Sequence, residues 1–182
     1  MIRFRQRRTT LEKRHFGAAE RLWIAGEIDK LLPVARDANR SESQWADNLI
    51  RNAYLWYWTA DGINAKGKVK RDLFKRDTDF LRHTDAALNA KKEGRKVTHE
   101  HAVPRKVLLQ HLKSEKWDSS SEIKAFLDRF CFGVIIDKER EDAKLRRWKQ
   151  KMPTPFSADS KPLERYKTEG IEVREPKYAR SE

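Results

Sequence analysis

Val97-Thr98-His99-Glu100-His101-Ala102-Val103-Pro104 is the stretch on which the reading of this chain turns. It sets two of the five histidines and a carboxylate in three consecutive positions, then ends regular structure at a proline. Side chains alternate along a strand, so His99 and His101 share one face and Glu100 points to the other. A bend before Pro104 would relax that alternation and bring Glu100 and His101 toward one point. A carboxylate oxygen suits a hard divalent ion, and a neighbouring neutral imidazole can take a proton from water near neutral pH.

Around this stretch the chain is strongly basic. Its 182 residues, enough for one domain or one domain with a helical extension, carry 41 Lys or Arg against 28 Asp or Glu. A formal net charge of +13 favours an anionic partner, of which nucleic acid is the commonest, over a generic basic surface. Six Trp, eight Phe and four Tyr go with a folded domain, not a disordered basic tail. Residues 66–106 alone hold thirteen Lys or Arg and six Asp or Glu, and this run leads straight into the histidines, where a phosphodiester would have to sit. A solvated helix face is the plainer account of the same charge. The single Cys131 excludes an internal disulfide and a cysteine-based zinc knuckle. No apolar run approaches the roughly 20 residues that cross a bilayer, and the basic N-terminus leads into no long apolar region, so a cytoplasmic protein is expected.

Before the histidines the pattern is helical. Thr9-Thr10-Leu11-Glu12 has capping-box spacing, and Leu11, Ala18, Leu22, Ala25, Ile28 and Leu32 recur at three- and four-residue steps, predicting a helix that ends at Pro33. Ser41 and Gln44 repeat the cap, with Trp45, Leu49, Ala53 and Trp56 as the buried face of a second helix. The aromatics Tyr54, Trp56, Tyr57 and Trp58 read as core, although a base-stacking platform has the same composition. Leu73, Phe80, Leu81 and Leu88 predict a long helix over 69–92. After Pro104, Val107, Leu108 and Leu112 suggest a short helix, and Ser119 to Glu122 cap another that carries Ile123, Phe126, Leu127 and Phe130. Phe132-Gly133-Val134-Ile135-Ile136 is the clearest strand, and a charged helix is predicted over 137–151, burying Leu145, Trp148 and Met152. Four of the six prolines fall after residue 152, so the tail reads as an extended wrap.

Glu100-His101-Ala102-Val103-Pro104 resembles the first strand of the HNH, or His-Me finger, nucleases. The likeness covers 97–104 and 132–152, where a second strand and a helix would follow. It implies an α+β protein, mostly helical, with a small ββα-metal core in the C-terminal half. It also implies one Mg2+ or Mn2+ ion and hydrolysis of phosphodiester bonds, in double-stranded DNA above all. By position His101 would be the general base and Glu100 a metal ligand. Asp142 would be the second ligand, with Glu141 or Glu139 as substitutes. Carboxylates in the first turn of a helix also suit its dipole without any metal. His99, Arg95, Lys96, Arg105 and Lys106 bracket the motif as expected DNA contacts, with Arg165 and Tyr166 further off in the tail. The division expected is a helical region over 1–92 that binds the duplex or pairs two subunits, the nuclease core with a helical insertion over 93–152, and a packed tail over 153–182. Two other readings fit the same residues: a non-catalytic nucleic-acid-binding protein, and a metal-independent ribonuclease using His99 and His101 as acid and base.

Overall fold

Residues 14–64, 66 and 68–177 are described by a computed structural model, which is α+β and mostly helical as the apolar spacing predicts. The cap expected at Thr9 to Glu12 lies outside the described residues. Helix α1 (Ala18–Arg36) begins where Glu20 accepts the Gly17 backbone N–H at 2.9 Å. It does not stop at Pro33 but continues one turn further. Pro33 is exposed, while Leu32 and Ala35 on either side are buried in the core. Arg36 then anchors the end, its guanidinium donating to the carbonyls of Lys113 at 2.9 Å and Leu112 at 3.0 Å.

Helix α2 (Arg40–Leu49) is capped by Asn39, two residues before the predicted Ser41, and runs through a π-helical turn (Ile50–Tyr54) into α3 (Leu55–Ala60). The buried positions are Ala46, Ile50, Leu55 and Trp58, whereas Trp45 is 58% exposed. The five-residue step from Ile50 to Leu55 marks the π-turn, whose extra residue rotates the following face. A strict 3.6-residue count cannot follow that shift. Helices α5 (Arg105–Ser114) and α6 (Ser120–Phe130) lie between the two strands of the histidine region. Ser119 caps α6 as predicted, accepting from the Glu122 N–H. Ile28, Leu32, Ile50 and Leu55 of the earlier helices share one core with Leu108, Leu112, Ile123 and Leu127 of α5 and α6. The insertion between the strands therefore packs with the N-terminal helices.

Strands β1 (Arg14–His15), β2 (Gly62–Ile63) and β3 (Val69–Lys70) make a small antiparallel sheet. A second sheet contains β4 (Arg82–His83), β5 (Val97–His101) and β6 (Gly133–Asp137) in the order β4-β6-β5. β4 runs parallel to β6 and β5 antiparallel, with His101 opposite Gly133 and Val97 opposite Asp137. The long helix predicted over 69–92 is broken into strand, turns and the short α4 (Asp85–Lys92). Aspartates break it by holding backbone N–H groups a helix would need. Asp61 accepts from the Asp72 N–H at 2.7 Å, and Asp77 from the Asp79 N–H at 3.1 Å. Asp72 itself has φ +56°. Phe74 and Leu81 still reach a core, packing with Ala87, Ala90, Val97 and Ile135. β4 thus joins the sheet of β5 and β6 and α4 packs against it, both before the expected boundary at 92/93.

The charged helix predicted over 137–151 contracts to α7 (Asp142–Leu145) and a 3-10 turn (Arg146–Trp148). Asp137 is responsible, its carboxylate accepting the N–H groups of Glu139 at 2.9 Å and Arg140 at 3.3 Å. Leu145 and Met152 are buried as expected, whereas Trp148 is half-buried. The tail carries turns at 157–160 and 161–164 and the short α8 (Glu164–Thr168), and Arg174 exchanges backbone hydrogen bonds with His83 at the edge of β4.

Candidate functional site

His99 and His101 do share a face of β5, with ring centroids 5.1 Å apart and each side chain only 6% exposed. Trp56, brought there by the π-turn, packs against both at 5.1 and 5.6 Å. Its indole N–H is held by Asp72 at 2.7 Å, while Lys75 and Arg105 stand over its ring at 5.1 and 5.4 Å. Trp56 is thus half-buried between a histidine pair and two cations, a place its helical spacing alone did not reveal.

The His101 ring has a defined orientation. Its Nε2 lies 3.3 Å from the Leu55 carbonyl and 3.2 Å from the Thr59 hydroxyl. Thr59 gives its own hydrogen to the Trp56 carbonyl at 3.2 Å, and a carbonyl only accepts. Both contacts therefore select the tautomer with hydrogen on Nε2, which leaves the lone pair on Nδ1. Burial holds the His101 pKa well below 6.5, and the neighbouring His99 and Arg105 push it the same way. The imidazole is neutral at physiological pH.

Gly133 is the other half of this arrangement. A Cβ on Gly133 would lie 2.1 Å from Nε2 of His99, so the ring occupies the space a side chain there would fill. A glycine inside a strand pattern is the available sequence signal for such close approach.

Glu100 faces the opposite side of the sheet and does not join His101. It pairs with Arg165 at 3.3 Å. Arg165 is fully buried, donating also to the carbonyls of Ala102 at 3.0 Å and of His101, and to the Tyr166 hydroxyl at 3.3 Å. Arg165 and Tyr166, expected as outlying phosphate contacts, are both inside the protein. The chain bends at residues 102 and 103, after Glu100, which stays in the β5 ladder opposite Val134 and does not turn toward His101.

The remaining acids are dispersed. Glu141 is buried, accepting from the Thr84 hydroxyl at 2.6 Å and the Asp137 N–H at 2.9 Å. Asp142 pairs with Lys149 at 3.4 Å, and Glu139 is exposed. Among the described residues no three His, Cys, Asp or Glu side chains are grouped to hold a metal ion. In this arrangement Glu100, Asp142, Glu141 and Glu139 do not make a ligand set for Mg2+ or Mn2+.

The expected DNA contacts divide in the same way. Arg95 is engaged by the buried Asp137 and by Glu93, which raise its pKa further. Lys96 and Lys106 are exposed, and Arg105 is half-buried beside Trp56. Among the described residues no helix is long and apolar enough to cross a membrane. Compared with protein-family models, curated proteins and solved structures, the chain matches none.

Proposed function

We propose that this protein is an HNH-type endonuclease that hydrolyses phosphodiester bonds in double-stranded DNA in the cytoplasm. One observation carries the reading: β5 and β6 pair antiparallel, α7 follows β6 within a few residues, and His101 ends β5 beside Arg105. That is the ββα order the resemblance implies, with a neutral imidazole at the position of the base. Water attacks the phosphorus, its proton passes to Nδ1 of His101, and the bond to the leaving oxygen breaks, with solvent protonating that oxygen. Burial keeps His101 neutral, so its lone pair is available to accept the proton at physiological pH.

Mg2+ or Mn2+ belongs to this reading, whereas the dispersed acids do not support a ligand set. A second reading has its own support: His99 and His101, facing one another at 5.1 Å, can serve as acid and base without a metal. One experiment separates them. Plasmid DNA and a single-stranded RNA are incubated with the protein in Mg2+, in Mn2+ and in a chelator, beside His101→Ala and His99→Ala. Metal-dependent DNA cutting lost in His101→Ala supports the endonuclease. Cutting that persists in chelator and needs both histidines moves the assignment to the metal-independent reading. Tight binding with no cutting in any condition overturns both and leaves a nucleic-acid-binding protein.

A further inference from the structure

Beside the start of α5 lies a cavity of about 410 Å3 lined by Arg51, Asn52, Arg105, Lys106, Lys149 and Gln150. Three separate segments contribute to it: the π-turn, the first turn of α5, and the residues after the 3-10 turn. Its wall holds four cations and two carboxamides, and no carboxylate.

Elsewhere cations meet acids, as in Arg21 with Asp128 at 2.7 Å and Arg174 with Asp85 at 2.6 Å. Here the acceptors among the described residues are neutral for three of the four. Arg51 donates to the Asn48 carboxamide at 3.0 Å, and Arg105 to the Arg51 carbonyl at 3.0 Å. Lys106 donates to the Gln150 carboxamide at 3.3 Å, and only Lys149 has an acid, Asp142. The pKa of Arg105 is lowered by burial and then by the charge of Arg51, which together outweigh the opposing charge of Glu100. Like charges gathered around a recess repel one another until an anion enters.

We propose that this cavity binds a backbone phosphate of a nucleic-acid strand, next to the bond presented to His101. The identity of the anion rests on the nuclease reading above; the demand for an oxyanion rests on the cavity alone. Two guanidiniums offer paired donors to phosphate oxygens, and the carboxamides of Asn52 and Gln150 add neutral donors. The volume, within the roughly 300–1,000 Å3 of ligand pockets, admits the adjoining sugars as well as the phosphate. Arg105 joins the cavity to the histidines, since it also lies over Trp56.

The test uses the full chain carrying His101→Ala, in chelator, so that cleavage plays no part. Fluorescence anisotropy measures binding of a labelled DNA duplex across a salt series, and thermal melting with and without inorganic phosphate measures stability. Arg51→Gln is expected to weaken duplex binding about tenfold and to reduce the salt slope by about 1. Without ligand its melting temperature should hold or rise, because a repulsive charge has gone, and protection by phosphate should shrink. Lys149→Gln, at an exposed position, is the second variant and should follow the same pattern more weakly. Wild-type affinity and slope in both variants would overturn the proposal, as would a fall in melting temperature that accounts for the lost binding. Phosphate protection that depends on Arg51 while duplex binding does not would reassign the cavity to a free phosphate. Duplex binding through Arg51, in a protein whose unsubstituted chain cuts nothing in the metal and chelator series above, would end the catalytic reading and leave the cavity as a phosphate site of a nucleic-acid-binding protein.

Discussion

At Gly133 a missing side chain decides where His99 can lie. Gly133→Ala puts a carbon where the imidazole stands, so either the ring or the strand must shift. Overpacking of this kind destabilises by roughly 1–3 kcal/mol, which urea unfolding would measure. An unchanged unfolding midpoint would mean the ring has another place to go. His101 leads to a pH prediction. Its folded pKa is depressed, so the unfolded chain binds the proton more readily as pH falls. The stability it contributes is complete above pH 6.5 and is lost as pH falls from there toward the depressed value. His111, lowered by burial against its own ordinary value, acts in the same direction. Unfolding free energy measured between pH 5 and 8 should therefore decline below 6.5, and His101→Asn should flatten that decline. Alternation along a strand already told that His99 and His101 would share a face. The partners of His101, Thr59 and the Leu55 carbonyl, lie more than forty positions away in the chain and left no local mark.

The helical elements were not equally legible in the sequence. Helix α6 was readable because Ser119, Glu122 and four apolar positions all point to one register. The π-turn was not, because an added residue at Ile50–Tyr54 mimics an ordinary helix in composition while turning Trp56 and Trp58 to new directions. Deleting Ala53 should restore a four-residue step and swing Trp56 by roughly 100°. The expected result is loss of the near-ultraviolet circular dichroism of the packed indole and a large loss of stability, since Leu55 and Trp58 leave the core with it. Native stability in the deletion variant would show that the turn is dispensable. Helix α8 holds the other side through Arg165. Arg165→Ala removes a buried cation that satisfies Glu100 and two strand carbonyls, so a loss of roughly 3–5 kcal/mol in chemical denaturation is expected. The tail's composition announced extended chain, but nothing nearby distinguishes a surface arginine from one that closes a sheet.

Across the molecule, the charge of +13 pointed to an anion from the outset, yet it gave no address. Arg95 and Arg165, read as phosphate contacts, are occupied by Asp137 and Glu100, whereas Arg51, inconspicuous in the chain, lines a cavity of like charge. Pairing across distant segments settles which cations remain available, and a linear count cannot register it. The position of β6 has a further consequence, for the order in which the molecule is made. β6 is the middle strand of its sheet and the last of the three to leave the ribosome. Until Gly133–Asp137 has been synthesised, β4 and β5 have no common neighbour, and the recess for His99 does not exist. Such sequence-distant pairing is slow to close. A nascent chain therefore lacks the seat for His99 until β6 is made, and Lys149 of the basic cavity follows later still.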